Sequence, residues 1–205
     1  MESDASQLPF LVSYWMTVPG FKTANAAGAR AAVSAANGND GEWSAAFICF
    51  VMHASGIRAA HGFHFGPRHM SYVATALRNR ERSAPNRPFH LVDTVELQAE
   101  AAPKPGDLLC FNRVANGAMT NHSYVSLRRQ FWTNDPNVEP TGSSHCALVL
   151  GTVERGGQRF LETIGGNETQ SVRLASNIAV EANGGLSAQT VALHNIYGAV
   201  RITEC

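Results

Sequence analysis

The spacing of apolar and polar positions divides the chain into a helical first part and a strand-rich second part. A short N-terminal strand or turn closes at Pro19-Gly20, and the alanine-rich stretch 21–36 then predicts a helix. Asn37-Gly38-Asn39-Asp40-Gly41 stops that helix and offers a cap to the next, over 42–55, which Gly56 ends. A third helix is predicted over 68–80. Pro85 and Pro88 mark a loop, and the pattern changes from about Val92. Pro103-Lys104-Pro105-Gly106-Asp107 is a turn feeding a strand over 108–111. Strands over 146–153 and 159–164 form a hairpin around Arg155-Gly156-Gly157, and a strand over 197–202 closes the chain. Residues 112–142 show no clear period, which marks a functional or disordered loop insertion. Helices followed by antiparallel strands make one α+β domain over 1–205, with N-terminal helices packed on a small antiparallel sheet.

Lys+Arg and Asp+Glu number 16 each, for a formal net charge of zero, and 44% of residues are hydrophobic. That apolar content excludes a disordered chain. The neutral balance lacks the electrostatic footprint of a nucleic-acid binder, so a neutral or mixed-charge partner is expected. The longest uncharged apolar run, 45–52, is far short of the ~20 residues a membrane-spanning helix needs, so no membrane insertion is expected. The first residues carry Glu2 and Asp4 instead of a basic region, and Pro9 breaks their short apolar patch. No Sec signal is expected from them. Cys49, Cys110, Cys146 and Cys205 have neither zinc-ribbon nor CxxC spacing and read as buried thiols made in a reducing compartment.

On the second helix, steps of ~100° place Trp43, Phe47, Phe50, Val51 and Ala54 on one stripe, with Ser44 at its edge in the first turn. Free backbone N–H groups at a helix start suit a nucleophile and an oxyanion. Taken alone, Ser44 serves equally well as an ordinary helix-start serine.

His145 opens the strand that follows Thr141-Gly142-Ser143-Ser144. A hairpin turning on Arg155-Gly156 sets His145 opposite Gly166, and one turning on Gly156-Gly157 sets it opposite Glu168. Asn167 lies beside His145 in both registers and directly opposite it in the one between, ~5 Å away. Glu162 pairs ~13 Å or more along the strand, so Asn167 is preferred over Glu162 for orienting the imidazole unless the ladder contains a bulge.

Together these segments resemble the papain-like cell-wall hydrolases of bacteria, the NlpC-type peptidases and CHAP amidases. The matching pieces are Trp43-Ser44-Ala45-Ala46-Phe47-Ile48, Pro105-Gly106-Asp107, Ser144-His145-Cys146 and Glu162 to Asn167, in that order. The chain also resembles an uncharacterised bacterial branch with Trp-Ser-Ala-x-Phe-Ile at the helix head, the His69-Met70-Ser71-Tyr72 element and a Gly-Gly-Asn after the histidine strand. Ser44 stands where those families have a cysteine, and serine needs true general-base help where a thiolate does not. Cys49 is an alternative nucleophile but lies about 240° round the helix by the same count. Cys110 sits in mid-strand and Cys146 points away from His145 by alternation, so all three read as buried thiols.

The histidines His53, His61, His64 and His69 cluster in the sequence without a metal-ligand spacing, so no metal or other cofactor is expected. Trp43, His64, His69 and Tyr72 are the candidates for substrate contact or support around the helix head. The resemblance implies a peptidoglycan amidase or endopeptidase with Ser44 as nucleophile, His145 as base, and Asn167 or Glu162 orienting it. It further implies an antibacterial toxin delivered by type VI secretion into a rival's periplasm, with an immunity protein as partner. The alternatives are an inactive binding module and an acyltransferase or deamidase on the same scaffold.

Overall fold

A six-stranded antiparallel sheet forms the centre of the computed structural model, which describes residues 7–19, 43–82, 88–98, 102–115, 117–131, 142–166 and 171–202. In chain order the elements are α1 (Leu8–Trp15), α2 (Trp43–Ala54), a 3-10 turn (Ala59–His61), α3 (His69–Glu81), β1 (Phe89–Asp93), α4 (Thr94–Gln98) and β2 (Leu108–Asn112). After these come β3 (Val114–Ala115), β4 (Ala118–Met119), α5 (Tyr124–Phe131), β5 (Ser144–Arg155), β6 (Gln158–Gly165), β7 (Arg173–Ala179), α6 (Ala188–Leu193) and β8 (Ile196–Ile202). The sheet order is β1-β8-β2-β5-β6-β7, with β3 and β4 forming a separate ribbon. The α+β class stands.

Both faces of the sheet are covered. Phe89, Leu91, Leu108, Cys110, Cys146 and Val200 pack with α2 and α3 in one core. Val92, Leu109, Val149, Leu161 and Ala199 form a second core on the other face with Leu97 and Leu186. The alternation along β1, β2, β5 and β8 divides these two sets.

Several expectations change. The N-terminal segment is the helix α1, begun by Pro9 in its first turn, and Tyr14 packs onto Trp43, Phe47 and Phe50 of α2. The helix expected over 21–36 lies outside the described residues. Within 112–142 the chain forms β3, β4 and α5. Asn112 Oδ1 accepts from the His122 backbone N–H at 2.6 Å, and His122 Nε2 donates to the Ser143 carbonyl at 3.0 Å. Tyr124 and Arg128 of α5 both engage Glu81 of α3. These local side-chain bonds replace the periodicity that a sequence scan detects, and they brace the chain where β5 begins.

Cys110 and Cys146, directly opposed on β2 and β5 with Cα atoms 4.1 Å apart, form a disulfide. The expectation of buried thiols fails for this pair, because register, not sequence spacing, brings the two sulfurs together. Cys205 lies outside the described residues.

The Pro-Gly-Asp turn is a clamp. Gly106 takes φ +94°, which favours glycine, and its N–H reaches the Val149 carbonyl at 2.9 Å. Asp107 is buried; its carboxylate accepts from Lys104 N–H at 2.9 Å and from Arg201 Nη2 at 2.7 Å. Removing one member strands a buried charge, so Asp107→Leu or Arg201→Met alone is expected to cost about 3–5 kcal/mol in urea unfolding. The double variant should cost less than either single one. Losses that simply add would show that the two groups are not a unit.

Candidate active site

α2 is apolar nearly all round, and Trp43 through Cys49 are buried without interruption. Ser44 is fully buried at its head, so its hydroxyl must find partners inside the protein. It finds two. Its Oγ lies 3.0 Å from His145 Nδ1 and 2.8 Å from His69 Nε2, and the two imidazole centroids are 5.1 Å apart. His69 Nδ1 is in turn bonded to the Tyr72 hydroxyl.

The local sequence explains each placement. His69 and Tyr72 are three apart in the first turn of α3 and therefore share a face. Tyr72 is held by Phe63, whose ring stacks on it with centroids 5.2 Å apart; Phe63 packs in turn against Phe65 and Phe89. His145 is the second residue of β5, and Ser144 beside it bonds the buried Tyr197 hydroxyl at 2.6 Å. The end of β6 comes so close to α2 that a Cβ on Gly166 would stand 2.8 Å from Phe47 Cβ and 3.0 Å from Trp43 Cζ3. Glycine is required there, in the Gly-Gly-Asn element of the sequence.

The direction of proton donation follows from the buried groups. Burial first, and then Cys49 and Tyr197, push Tyr72 well above the usual phenol range, so its hydroxyl keeps the proton. His69 Nδ1 accepts that proton's hydrogen bond. Burial above all, and the Arg113 charge beside it, hold His69 well below the usual imidazole range, so it is neutral and carries its own proton on Nε2. That N–H donates to Ser44 Oγ. The Ser44 hydroxyl therefore donates to His145 Nδ1, and His145 is the group placed to take its proton.

His145 also lines a cleft of about 490 Å³ together with Phe111, Ala147, Thr163 and residues of β7. A helix-head hydroxyl, one imidazole acceptor, one imidazole donor and an adjoining cleft are the kinds of group that acyl-transfer chemistry draws on.

The other candidates fall elsewhere. Trp43 stacks on Tyr14 with centroids 5.9 Å apart, supporting the helix head. His64 is exposed beside Gly66 and Ser71; burial of its ring and the Arg78 charge lower its pKa. His53 packs edge-on to Phe65, and His61 Nδ1 accepts from the Arg58 N–H at 3.1 Å. The hairpin turns on Gly156-Gly157, but the register shifts between Val149 and Gly151, so Val149 pairs with Thr163 and Gly151 with Glu162. Glu162 is therefore six residues along β5 from His145, ~20 Å away, and does not orient it. The shift brings the pairs nearest His145 into the register between the two simple hairpins. Asn167 itself lies outside the described residues. Cys49 is fully buried, its thiol is pushed up to about 12 by burial and it donates to the Gly66 carbonyl at 3.4 Å. With Cys110 and Cys146 joined, none of the three is a free thiolate beside His145.

Residues 12–197 match the model of a family described as "Uncharacterized protein conserved in bacteria (DUF2272)". The chain belongs to the DUF2272 family. Ser44, His69, Tyr72 and His145 all fall inside the matched span. No curated protein and no solved structure matches the chain. In this DUF2272 chain, the sequence did not reveal the part played by Phe63, nor the charge of Arg113 near His69. The alternating aromatics of Phe63-His64-Phe65 were the available signal for the former.

The bond direction can be tested by imidazole nitrogen NMR. His69 should be the Nε2–H tautomer in the wild type, and Tyr72→Phe should populate the Nδ1–H form as well. An Nδ1–H tautomer in the wild type would reverse the chain.

The depressed His69 also sets a pH dependence. Above about pH 6.5 the group is neutral in both folded and unfolded chains. Below it the unfolded chain binds a proton that folded His69 does not, so stability falls by up to ~1.4 kcal/mol per pH unit from this group. Urea unfolding at pH 7.5, 6.5 and 5.5 should show that loss. His69→Gln should flatten it, and an unchanged slope would remove His69 as its source.

Proposed function

We propose that this protein is an amide hydrolase of papain-like, NlpC/CHAP-type architecture that acts on peptidoglycan stem peptides. The observation that carries the reading is the Ser44 hydroxyl at the head of α2, hydrogen-bonded to His145 Nδ1 and to the neutral His69. Ser44 Oγ attacks the amide carbon while its proton passes to His145. The oxyanion forms beside the N–H groups of the first turn of α2. His145 then gives the proton to the leaving amine, and the C–N bond breaks to leave an acyl-serine. Water, deprotonated by His145, hydrolyses that ester and restores Ser44. Asn167 has the role of orienting His145 in this scheme.

The Cys110–Cys146 disulfide favours an oxidising destination such as the bacterial periplasm. Delivery there by type VI secretion, as an antibacterial toxin with a cognate immunity protein, belongs to the same proposal. An acyltransferase or deamidase would use the same acyl-serine and differ in what accepts the acyl group.

A second reading draws on the complete burial of Ser44, which suits a structural hydrogen-bond node in a catalytically silent binding module. Digestion of purified peptidoglycan with mass analysis of the products separates the two. Wild type should release new amine ends, and Ser44→Ala and His145→Ala should each lose about three orders of magnitude in rate. Inactive wild type beside an active Ser44→Cys variant would favour the silent module. Cleavage that survives Ser44→Ala would end the serine mechanism.

A further inference from the structure

The cleft next to His145 has a one-sided electrostatic lining. Arg155 and Arg173 carry its positive charge beside the imidazoles of His145 and His194, and among the described residues lining it there is no carboxylate. In a chain with equal numbers of acidic and basic residues, that is a local separation of charge. Arg155 is partly engaged, its Nη2 donating to Ser176 Oγ at 2.6 Å. The Arg173 guanidinium has no side-chain partner among the described residues and is exposed at the head of β7.

Register fixes where Arg173 stands. It pairs with Gly165, and its neighbours pair as Leu174 with Ile164 and Ala175 with Thr163. Thr163 pairs in turn with Val149 of β5. Arg173 therefore belongs to the same end of the sheet as His145. At ~4.8 Å between neighbouring strands, two strand spacings set its backbone on the order of 10 Å from β5. Thr163, Ala147 and Ala175 between them present small side chains and leave the floor of the cleft open.

An arginine fork without a partner, facing a nucleophile's base across a small-residue floor, suits a planar anion on an extended chain. We infer that Arg173 seats a carboxylate of the substrate in this cleft, at the end of the sheet where His145 meets Ser44, with Arg155 and His194 around it. The ligand class is a peptide bearing a free carboxylate side group. The inference rests on the amide-hydrolase reading only for the identity of that peptide; the carboxylate seat follows from the cleft itself.

The test uses two probes on the full chain. Glutarate, a bare dicarboxylate, is titrated into the wild type while the amide resonances of Thr163 and Ala175 are followed. L-alanyl-γ-D-glutamyl-L-lysine with a free glutamyl α-carboxylate, and the same peptide as the α-carboxamide, are titrated into Ser44→Ala. Both resonances should move with glutarate, and the carboxylate peptide should bind roughly tenfold tighter than the carboxamide. Arg173→Gln should abolish both effects and Arg173→Lys should keep part of each, with unfolding midpoints unchanged because the side chain is exposed.

Unmoved resonances, or an Arg173→Gln variant that binds like its parent, would overturn the seat. Arg173-dependent glutarate binding without binding or cleavage of either peptide would uphold the seat and refute the peptidoglycan reading. Equal cleavage of both peptides by wild type and Arg173→Gln would uphold the hydrolase reading and refute the seat.

Discussion

A helix without a polar face has to be covered on every side, and α2 imposes that requirement on everything around it. Tyr14 of α1 covers one flank, and α3 and the sheet enclose the others. The closest contact is at Gly166, where β6 meets the first turn with no room for a Cβ. Every polar group on such a helix must be satisfied within the protein, because leaving one unmet costs about 1–3 kcal/mol. Cys49 meets the requirement with the Gly66 carbonyl. Ser44 meets it with two imidazoles, from α3 and β5. The cluster at the helix head is thus a consequence of burying the helix as much as a chemical device.

One hydroxyl between two imidazoles can donate to only one of them. Tyr72 decides which. Its phenol stays protonated in the core and points at His69 Nδ1, so His69 presents an N–H to Ser44 and leaves His145 as acceptor. The direction is therefore set two hydrogen bonds away from the serine, at Tyr72, which Phe63 holds by stacking. A serine lacks the easy ionisation of a thiol, and a directed hydrogen-bond chain is the form of help it needs. The chain is continuous from Tyr72 to His145.

Much of this was legible in the sequence, for physical reasons that differ by element. The apolar run of α2 and the alternation in β5 and β6 are periodic signals, and both survived in the fold. Ser44 and His145 stand at the starts of those elements, which made their pairing readable from order alone. β1 and α4 were missed because they are only five residues long, and β7 because it is an edge strand that is exposed or half-buried along most of its length and carries no clear apolar alternation. The 112–142 stretch looked aperiodic because Asn112 and His122 organise it through single side-chain bonds. The disulfide depends on the β2–β5 register, and the pairing nearest His145 on a β5–β6 bulge between Val149 and Gly151; no local pattern announces either.

That bulge has a further effect on the site. Without it, the partners of β5 near His145 would follow the register set by the Gly156-Gly157 turn, and a one-residue slip turns side chains to the opposite face. With it, Thr163 pairs with Val149 and so shares the face of Ala147 and His145, while Ile164 joins the helix-side core with Leu148. The cleft thereby acquires a polar floor and α2 an apolar bed from the same strand. His145 belongs to both, hydrogen-bonded to Ser44 and half-buried along the cleft. Because Ser44 is itself fully buried, His145 is where the enclosed serine meets the cleft. Of the hydrogen-bonded chain Tyr72, His69, Ser44 and His145, it is His145 that lines the cleft, so the same imidazole ends the buried network and begins the accessible surface.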